Sequence, residues 1–513
     1  MKKTTFLGFA LLICCFTNCS TEEFANETPN QLSGIPETRN VINKTYSSLG
    51  VSYDASNEYL GIDAAKYKVI DIDAYLKDYP NSLLENNTTA GTVDIFSGSN
   101  AVEYTREITN KMKLHTAGDM DFKVFSGSSH LKFETDLYTK NTYSSKYSYA
   151  RADVVKRVKR LYLRDNPEVL KNYLYPEFLE DLENKTPMQF IAMYGTHVLT
   201  DITLGGRLQF NYRSEIYDVS EKSQKRIFVE SGVKTKILGI GADITQSYDR
   251  EDIKTQATVN RNWTLKVNYV GGTNSGTSMT LTNDGQIASQ QFNISQWESS
   301  VTADNSIIIN LEWNKTYPIY EFIEDPIKRE QIKQAYEEYL KLETLEVIEV
   351  KPVYRLYTST YTTNCYLSSS FDEVVYYTTN HNYYYSSKQD ALGYVFATQQ
   401  PGTVPLYRIH DDWAHKSFYT SSLTEANTFK SRWGYRWETG TTGSNILGYV
   451  YKTNQSNLQT VPFYRLVHHA SLTKFYTTSL IEADRYRNNW DWVFDSGTSG
   501  TYIHGYLLPL GQY

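Results

Sequence analysis

The side chains able to do chemistry in this chain are few and scattered. Nine histidines occur, and the adjacent pair His468 and His469 would project to opposite faces of a strand, which argues against a shared metal site. Of four cysteines, Cys14, Cys15 and Cys19 crowd the N-terminus. That leaves Cys365 alone, with no CxxC motif and no intrachain disulfide in a chain processed at Cys19. The sequence carries 58 acidic residues, so carboxylate pairs are unavoidable, and none stands out as a glycosidase pair. GxSxG, HExxH, P-loop and GxGxxG-plus-acid patterns are absent. The expectation is a protein with no catalytic residue, no metal and no cofactor: not an enzyme. A net charge of -7 without a basic block gives no footprint for nucleic acid.

At 513 residues the chain exceeds one hydrophobic core, and 40% hydrophobic with 21% charged residues describes a globular multidomain body. Lys2 and Lys3 precede an apolar stretch from Phe6 to Phe16, long enough for a signal h-region and too short to span a bilayer. Cys19 is followed by Ser20-Thr21-Glu22-Glu23. This arrangement resembles a bacterial lipoprotein signal (residues 1–18) with Cys19 as the lipidated N-terminus, and the acidic pair resembles an export tag to the outer face of the outer membrane. The expected location is that surface, or the medium after release. An ordinary cleaved signal with incidental cysteines is the alternative. Residues 19–45 read as a polar tether.

Three central helices are expected. One carries Val154, Val155, Val158, Leu161 and Tyr162 on one face. A second opens at Asn166-Pro167 with Val169, Leu170, Tyr173 and Leu174, and a third at Asp325-Pro326 with Ile332, Ala335, Tyr336, Tyr339 and Leu340. Odd positions from Ile253 to Tyr269 alternate with polar even ones, which predicts a strand.

Residues 351–513 are aromatic and repeated. Pro352-Val353-Tyr354-Arg355, Pro405-Leu406-Tyr407-Arg408 and Pro462-Phe463-Tyr464-Arg465 open three copies (352–404, 405–461, 462–513). Thirteen residues after each proline stands Cys365, Phe418 or Phe475, followed by Tyr366, Tyr419 or Tyr476, and the copies close on Gly393-Tyr394, Gly448-Tyr449 and Gly505-Tyr506. Three copies of a short β unit would close into a threefold all-β domain, with a β-trefoil as the candidate. Residues that break the repeat, Trp413, His415, His468 and His469, are the candidates for receptor binding.

One segment stands apart. Thr186-Pro187 caps a helix that runs into Tyr194-Gly195-Thr196-His197 and then a strand ending at Gly205-Gly206. This resembles the membrane attack complex/perforin signature, with Val198 in place of the usual aromatic. Gly271-Gly272 resemble that family's hinge glycines, and Trp297 through Tyr320-Glu321-Phe322-Ile323 the segment that closes its domain. The resemblance covers residues 46–345. It implies an α+β fold: a bent antiparallel sheet like that of perforins and cholesterol-dependent cytolysins, with flanking helices, and His197 as a fold element. By position it implies two segments, Thr116–Ala150 and Ser220–Asn262, that become membrane-spanning hairpins. In the second, Val233, Thr235 and Ile237, then Ile240, Ala242 and Ile244, alternate as such strands must.

The function so implied is a pore-forming surface protein that assembles into a homo-oligomeric ring in a target membrane, an antibacterial toxin against competing strains, with the repeats recognising a surface receptor or glycan. The competing reading is a non-lytic glycan-binding or adhesion lipoprotein that uses the same sheet as a scaffold.

Overall fold

The computed structural model describes residues 48–513 apart from 62, 88–90, 112–141, 217, 220, 240–249, 283–293, 359–364, 386–390 and 511–513. The expected signal, the tether, Cys19 and most of Thr116–Ala150 therefore lie outside the described residues, as do Ile240, Ala242 and Ile244.

The centre is a seven-stranded antiparallel sheet: β1 (Leu83–Asn87), β2 (Gly91–Gly98), β3 (Tyr147–Leu163), β4 (Asp201–Glu215), β5 (Arg261–Val270), β6 (Ser278–Thr282) and β7 (Ile307–Leu311). Long β3 and β4 pair along their length, from Tyr147↔Glu215 to Tyr162↔Asp201. β1 and β2 share the outer edge of β3, and β7 and β5 share that of β4. β6 covers β5.

Val154, Val155, Val158, Leu161 and Tyr162 thus belong to a strand and not to the expected helix. Their spacing also permits alternation. Even positions Ala150, Ala152 and Val154 join Leu208, Phe210 and Tyr212 in one apolar layer, while ladders on both edges satisfy the backbone that a lone helix would have to satisfy itself. The opposite face is polar yet buried: Arg151, Asp153, Arg207, Gln209 and Asn211. Arg151 grips Asp153 through two hydrogen bonds of 2.8 and 2.6 Å.

Helices α1 (Pro187–Tyr194), α2 (Lys222–Gly239), α3 (Arg250–Ala257) and α4 (Ile294–Ser300) pack around this frame. The strand expected from Ile253 holds only for β5. Glu251 and Asp252 occupy the first turn of α3, where carboxylates favour a helix N-terminus, and Ile253 is buried from that helix. The helix expected from Asn166-Pro167 is one turn, Pro167–Leu170, capped by Asn166 and followed by a 3-10 turn over Lys171–Tyr173 and an extended Leu174; the one expected from Asp325-Pro326 forms at Pro326–Leu342, capped by Asp325, and buries Ile332, Ala335, Tyr336 and Leu340. A second, four-stranded sheet joins Thr316–Pro318, His197–Leu199, Val51–Tyr53 and Ala65–Lys68 in that order.

The repeats correct the expectation of an all-β domain. The region is β-rich, but every copy inserts a helix after its hairpin: Phe371–Asn380, Leu423–Trp433 and Leu480–Asn489. A β-trefoil is not shown. Closing strands Tyr394–Phe396, Ile446–Tyr451 and Ile503–Leu507 meet pairwise, through Phe396↔Tyr449, Tyr451↔Tyr506 and Tyr394↔Leu508. The arginine of each opening strand pairs with the helix glutamate of another copy: Arg408 with Glu373, Arg465 with Glu425 and Arg355 with Glu482, each at 2.9 Å. Three pairs in cyclic order close the ring.

The first copy is also displaced by one residue from the sequence alignment. Arg408 pairs across its hairpin with Tyr419 and Arg465 with Tyr476, but Arg355 pairs with Leu367. Tyr366 therefore occupies the place of Phe418 and Phe475, because the first hairpin connection is one residue longer.

Candidate functional site

The Tyr-Gly-Thr-His segment ties the two sheets together. Helix α1 starts with a capping box between Thr186 and Gln189 and ends at Gly195, whose φ of 78° is open to glycine and costly for other residues. A Cβ on Gly195 would also press on the backbone of Asp54. Tyr194 stacks on Phe190 and donates to Asp181 at 2.9 Å. The Thr196 hydroxyl donates to the Tyr53 carbonyl (3.2 Å) and accepts from the Ala55 N–H (2.9 Å). His197 lies edge-on to Trp313 and Tyr336, with Nδ1 2.8 Å from the Thr196 hydroxyl. Burial pulls its imidazole down to about 3, so it is neutral and structural, as expected of a fold element.

Four glycines meet where β4 changes its outer partner. Gly205-Gly206 do not end their strand, as the sequence pattern suggested; they sit inside β4, where the outer partner changes from β7 to β5. Here β3 carries an irregularity between Arg157 and Lys159. Gly271-Gly272 leave β5 at φ 76° and 79°. A Cβ on Gly271 would stand 2.6 Å from the Gly205 carbonyl oxygen, and one on Gly206 would strike Val301 and Trp297. Glycine at these places lets β4, β5 and α4 approach closely. Trp297 fills the corner and donates its indole N–H to the Gly271 carbonyl at 3.1 Å. Sequence reading placed Trp297 only in the closing segment and missed this contact; the glycine pairs were the signal that something must pack there.

Between β4 and β5, which pair side by side, the chain forms α2 and α3. Val229, Val233 and Ile237 stand four apart on one face of α2 and bury against Leu208, Phe210 and Tyr212. The hairpin alternation expected over Val233–Ile237 is thus helical in this state. The same residues are all odd-numbered, so a strand would also place them on one face.

The receptor-binding candidates lie at two hairpin turns that are joined by a hydrogen bond from the Lys416 ammonium to the Ser471 carbonyl. Trp413 is 93% exposed and His415 is exposed in the turn of the second hairpin, whereas His468 and His469 lie at the corresponding turn of the third. The His468 ring packs on Trp492 and hydrogen-bonds Ser471. Missed by sequence reading were Trp433 and Trp490, at matching places where their helices end, 52% and 51% exposed. Among the described residues no helix is long and apolar enough to cross a membrane, which leaves strand crossing untouched, and no group of three or more potential metal ligands occurs.

A family model described as the MAC/Perforin domain matches residues 93–349, half of the chain. A domain of unknown function (DUF5648) matches residues 327–443 and 352–501. No curated protein matches. Among solved structures, a putative cell invasion protein with a MAC/Perforin domain from Bacteroides thetaiotaomicron is similar at 17% identity and a TM-score of 0.45, over 64% of this chain and 68% of that one. GNIP1Aa from Chromobacterium piscinae is similar at 16% identity and a TM-score of 0.44, over 72% and 74%. The cytotoxin suilysin from Streptococcus suis is similar at 12% identity and a TM-score of 0.23, over 48% and 46%.

Proposed function

Because the chain belongs to the MAC/Perforin domain family, we propose that it is a pore-forming protein whose central sheet straightens at the four-glycine bend and releases two segments into a target membrane. The observation that carries this reading is α2: a single apolar set, Val229, Val233 and Ile237, that serves both a helix against the sheet and an alternating strand in lipid. The segment 216–260 joins two adjacent antiparallel strands, so it can extend that pair without any change of topology. Each arm has about 22 residues, roughly 70 Å at about 3.3 Å per residue, against the 9–11 residues a tilted strand needs to cross. The segment between β2 and β3 stands in the same relation to its own paired strands.

Inserted hairpins have unpaired edges that lipid cannot satisfy, so the functional unit is a closed ring of copies. The driving force is apolar burial and edge closure, without enzymatic chemistry. In this reading Cys19 carries a lipid anchor on the outer membrane surface, the targets are competing bacteria, and the repeats select the target through a receptor or glycan. Half-exposed Trp433 and Trp490 join Trp413, His415, His468 and His469 as candidates for that contact, since aromatic faces suit sugar rings.

Dye release from liposomes made with target-cell lipids tests the reading. Release that grows steeply with protein concentration supports it. Binding of the intact protein to susceptible cells with no release from any such liposome favours the non-lytic adhesion reading instead.

A further inference from the structure

The end of the sheet from which both insertable segments depart is held by the repeat domain. β3 begins at Tyr147 and β4 ends at Glu215, and these two residues pair. Beside them the buried Lys146 ammonium lies 3.6 Å from the buried Glu215 carboxylate. Tyr394, in the closing strand of the first copy, donates its hydroxyl to Glu215 Oε2 at 2.7 Å, and Tyr385 donates to Asp218 at 2.6 Å. On the other arm, strand Thr142–Ser144 pairs in parallel with Glu346–Ile348, the connector into the repeats. Ser145 N–H donates to the Ile348 carbonyl (3.1 Å), and the Ser145 hydroxyl accepts from Val350 N–H (2.9 Å). Val350 then pairs with Phe396 inside the first copy.

These contacts compete with extension of β3 and β4 into longer strands. If β3 and β4 continued past Tyr147 and Glu215 in their present register, Lys146 would face Ile216 and Ser144 would face Asp218. Ser144 is instead aligned with Ile348, and Asp218 is held by Tyr385. We propose that the C-terminal repeat domain is an autoinhibitory clamp: residues 346–352, Tyr385 and Tyr394 hold the roots of both segments, and engagement of a target surface by the repeats loosens this hold before the sheet opens. The proposal rests on the pore-forming reading for its purpose, but the clamp itself can be read without any pore.

The experiment uses the full chain. Tyr385→Phe with Tyr394→Phe removes two hydroxyls and little volume, and amide exchange at 144–148 and 346–350 in the free protein should speed up about tenfold, with dye release starting earlier. Ser144→Cys with Ile348→Cys places a disulfide across the connector. When oxidised, the variant should bind target liposomes and release no dye; when reduced, it should match wild type. Exchange at wild-type rates in the tyrosine variant, or wild-type release by the oxidised variant, overturns the clamp. If no form releases dye but exchange at these residues accelerates on membrane binding, the clamp stands and the pore reading fails. If exchange is unchanged on binding, the clamp fails.

Discussion

Trp297 donates its indole N–H to the Gly271 carbonyl at 3.1 Å, pinning α4 to the point where β5 turns away from β4. Straightening the sheet has to break this bond and empty the corner the ring fills. Trp297→Phe keeps an aromatic ring and loses the donor. It should lower stability by about 1–2 kcal/mol in denaturant unfolding and bring forward the onset of dye release; an unchanged onset with the expected stability loss would show that this corner does not gate opening.

Close approach at the bend can be separated from glycine's backbone freedom. Gly271 and Gly276 both adopt positive φ, but a Cβ on Gly276 meets nothing within 4 Å while one on Gly271 meets the Gly205 backbone. Gly276→Ala should cost about 1 kcal/mol and Gly271→Ala clearly more. Equal losses in thermal or denaturant unfolding would mean the strands tolerate a side chain at the bend.

The three ion pairs that close the repeats differ in burial. Arg465 and Glu425 are wholly enclosed, whereas the Glu482 side chain facing Arg355 is 28% exposed. Removing Glu425 leaves the enclosed Arg465 with Asp495 as its one ion-pair partner among the described residues, at 2.9 Å, and breaking an enclosed pair costs about 3–5 kcal/mol. Glu425→Gln should therefore lower the unfolding midpoint of the repeats more than Glu482→Gln, and the reverse order would contradict the ring as drawn.

His504 occupies in the third copy the place of Leu392 and Leu447. Burial, helped by the Arg465 guanidinium, pulls its imidazole down to about 3. The unfolded chain takes up this proton near pH 6.5 and the folded chain only near 3, so the stability present above pH 6.5 is lost as the pH falls between those values. His504→Leu should raise the melting temperature more at pH 5 than at pH 8. A gap that does not change with pH would show that His504 does not contribute to acid sensitivity.

Much of this architecture is legible in residue types that act locally. Caps at Asn166, Thr186 and Asp325, the glycine pairs and the threefold repeat all declare themselves, because a cap or a positive φ needs particular residues at particular places. What failed to read were segments whose apolar spacing suits two structures. Val154 to Tyr162 fits a helix as well as the strand it forms, and Val229, Val233 and Ile237 fit a strand as well as the helix they form here; only the partners decide. The one-residue slip at Tyr366 was hidden because adjacent aromatics allow two alignments, and only the pairing of Arg355 with Leu367 resolves them. Contacts such as Tyr394 with Glu215 join residues far apart in the chain and leave no local trace.

Insertion as proposed requires α2 to change from helix to membrane strand. Single cysteines from Ile227 to Ile237, each carrying a polarity-sensitive fluorophore, test it most directly in a chain that lacks Cys14, Cys15 and Cys19; burial pushes the remaining native thiol, Cys365, up to about 12, so labelling is selective. In solution the dry positions should be Val229, Ser231, Gly232, Val233, Lys234 and Ile237, with Ile227, 49% exposed, in water, so Ile227 and Lys234 are the positions that must exchange environments. On target membranes the expected pattern is strict alternation: lipid at Ile227, Val229, Ser231, Val233, Thr235 and Ile237, and water at Glu230, Lys234 and Lys236. A helix-spaced pattern that persists on membranes which are leaking would contradict the change of α2 into a strand.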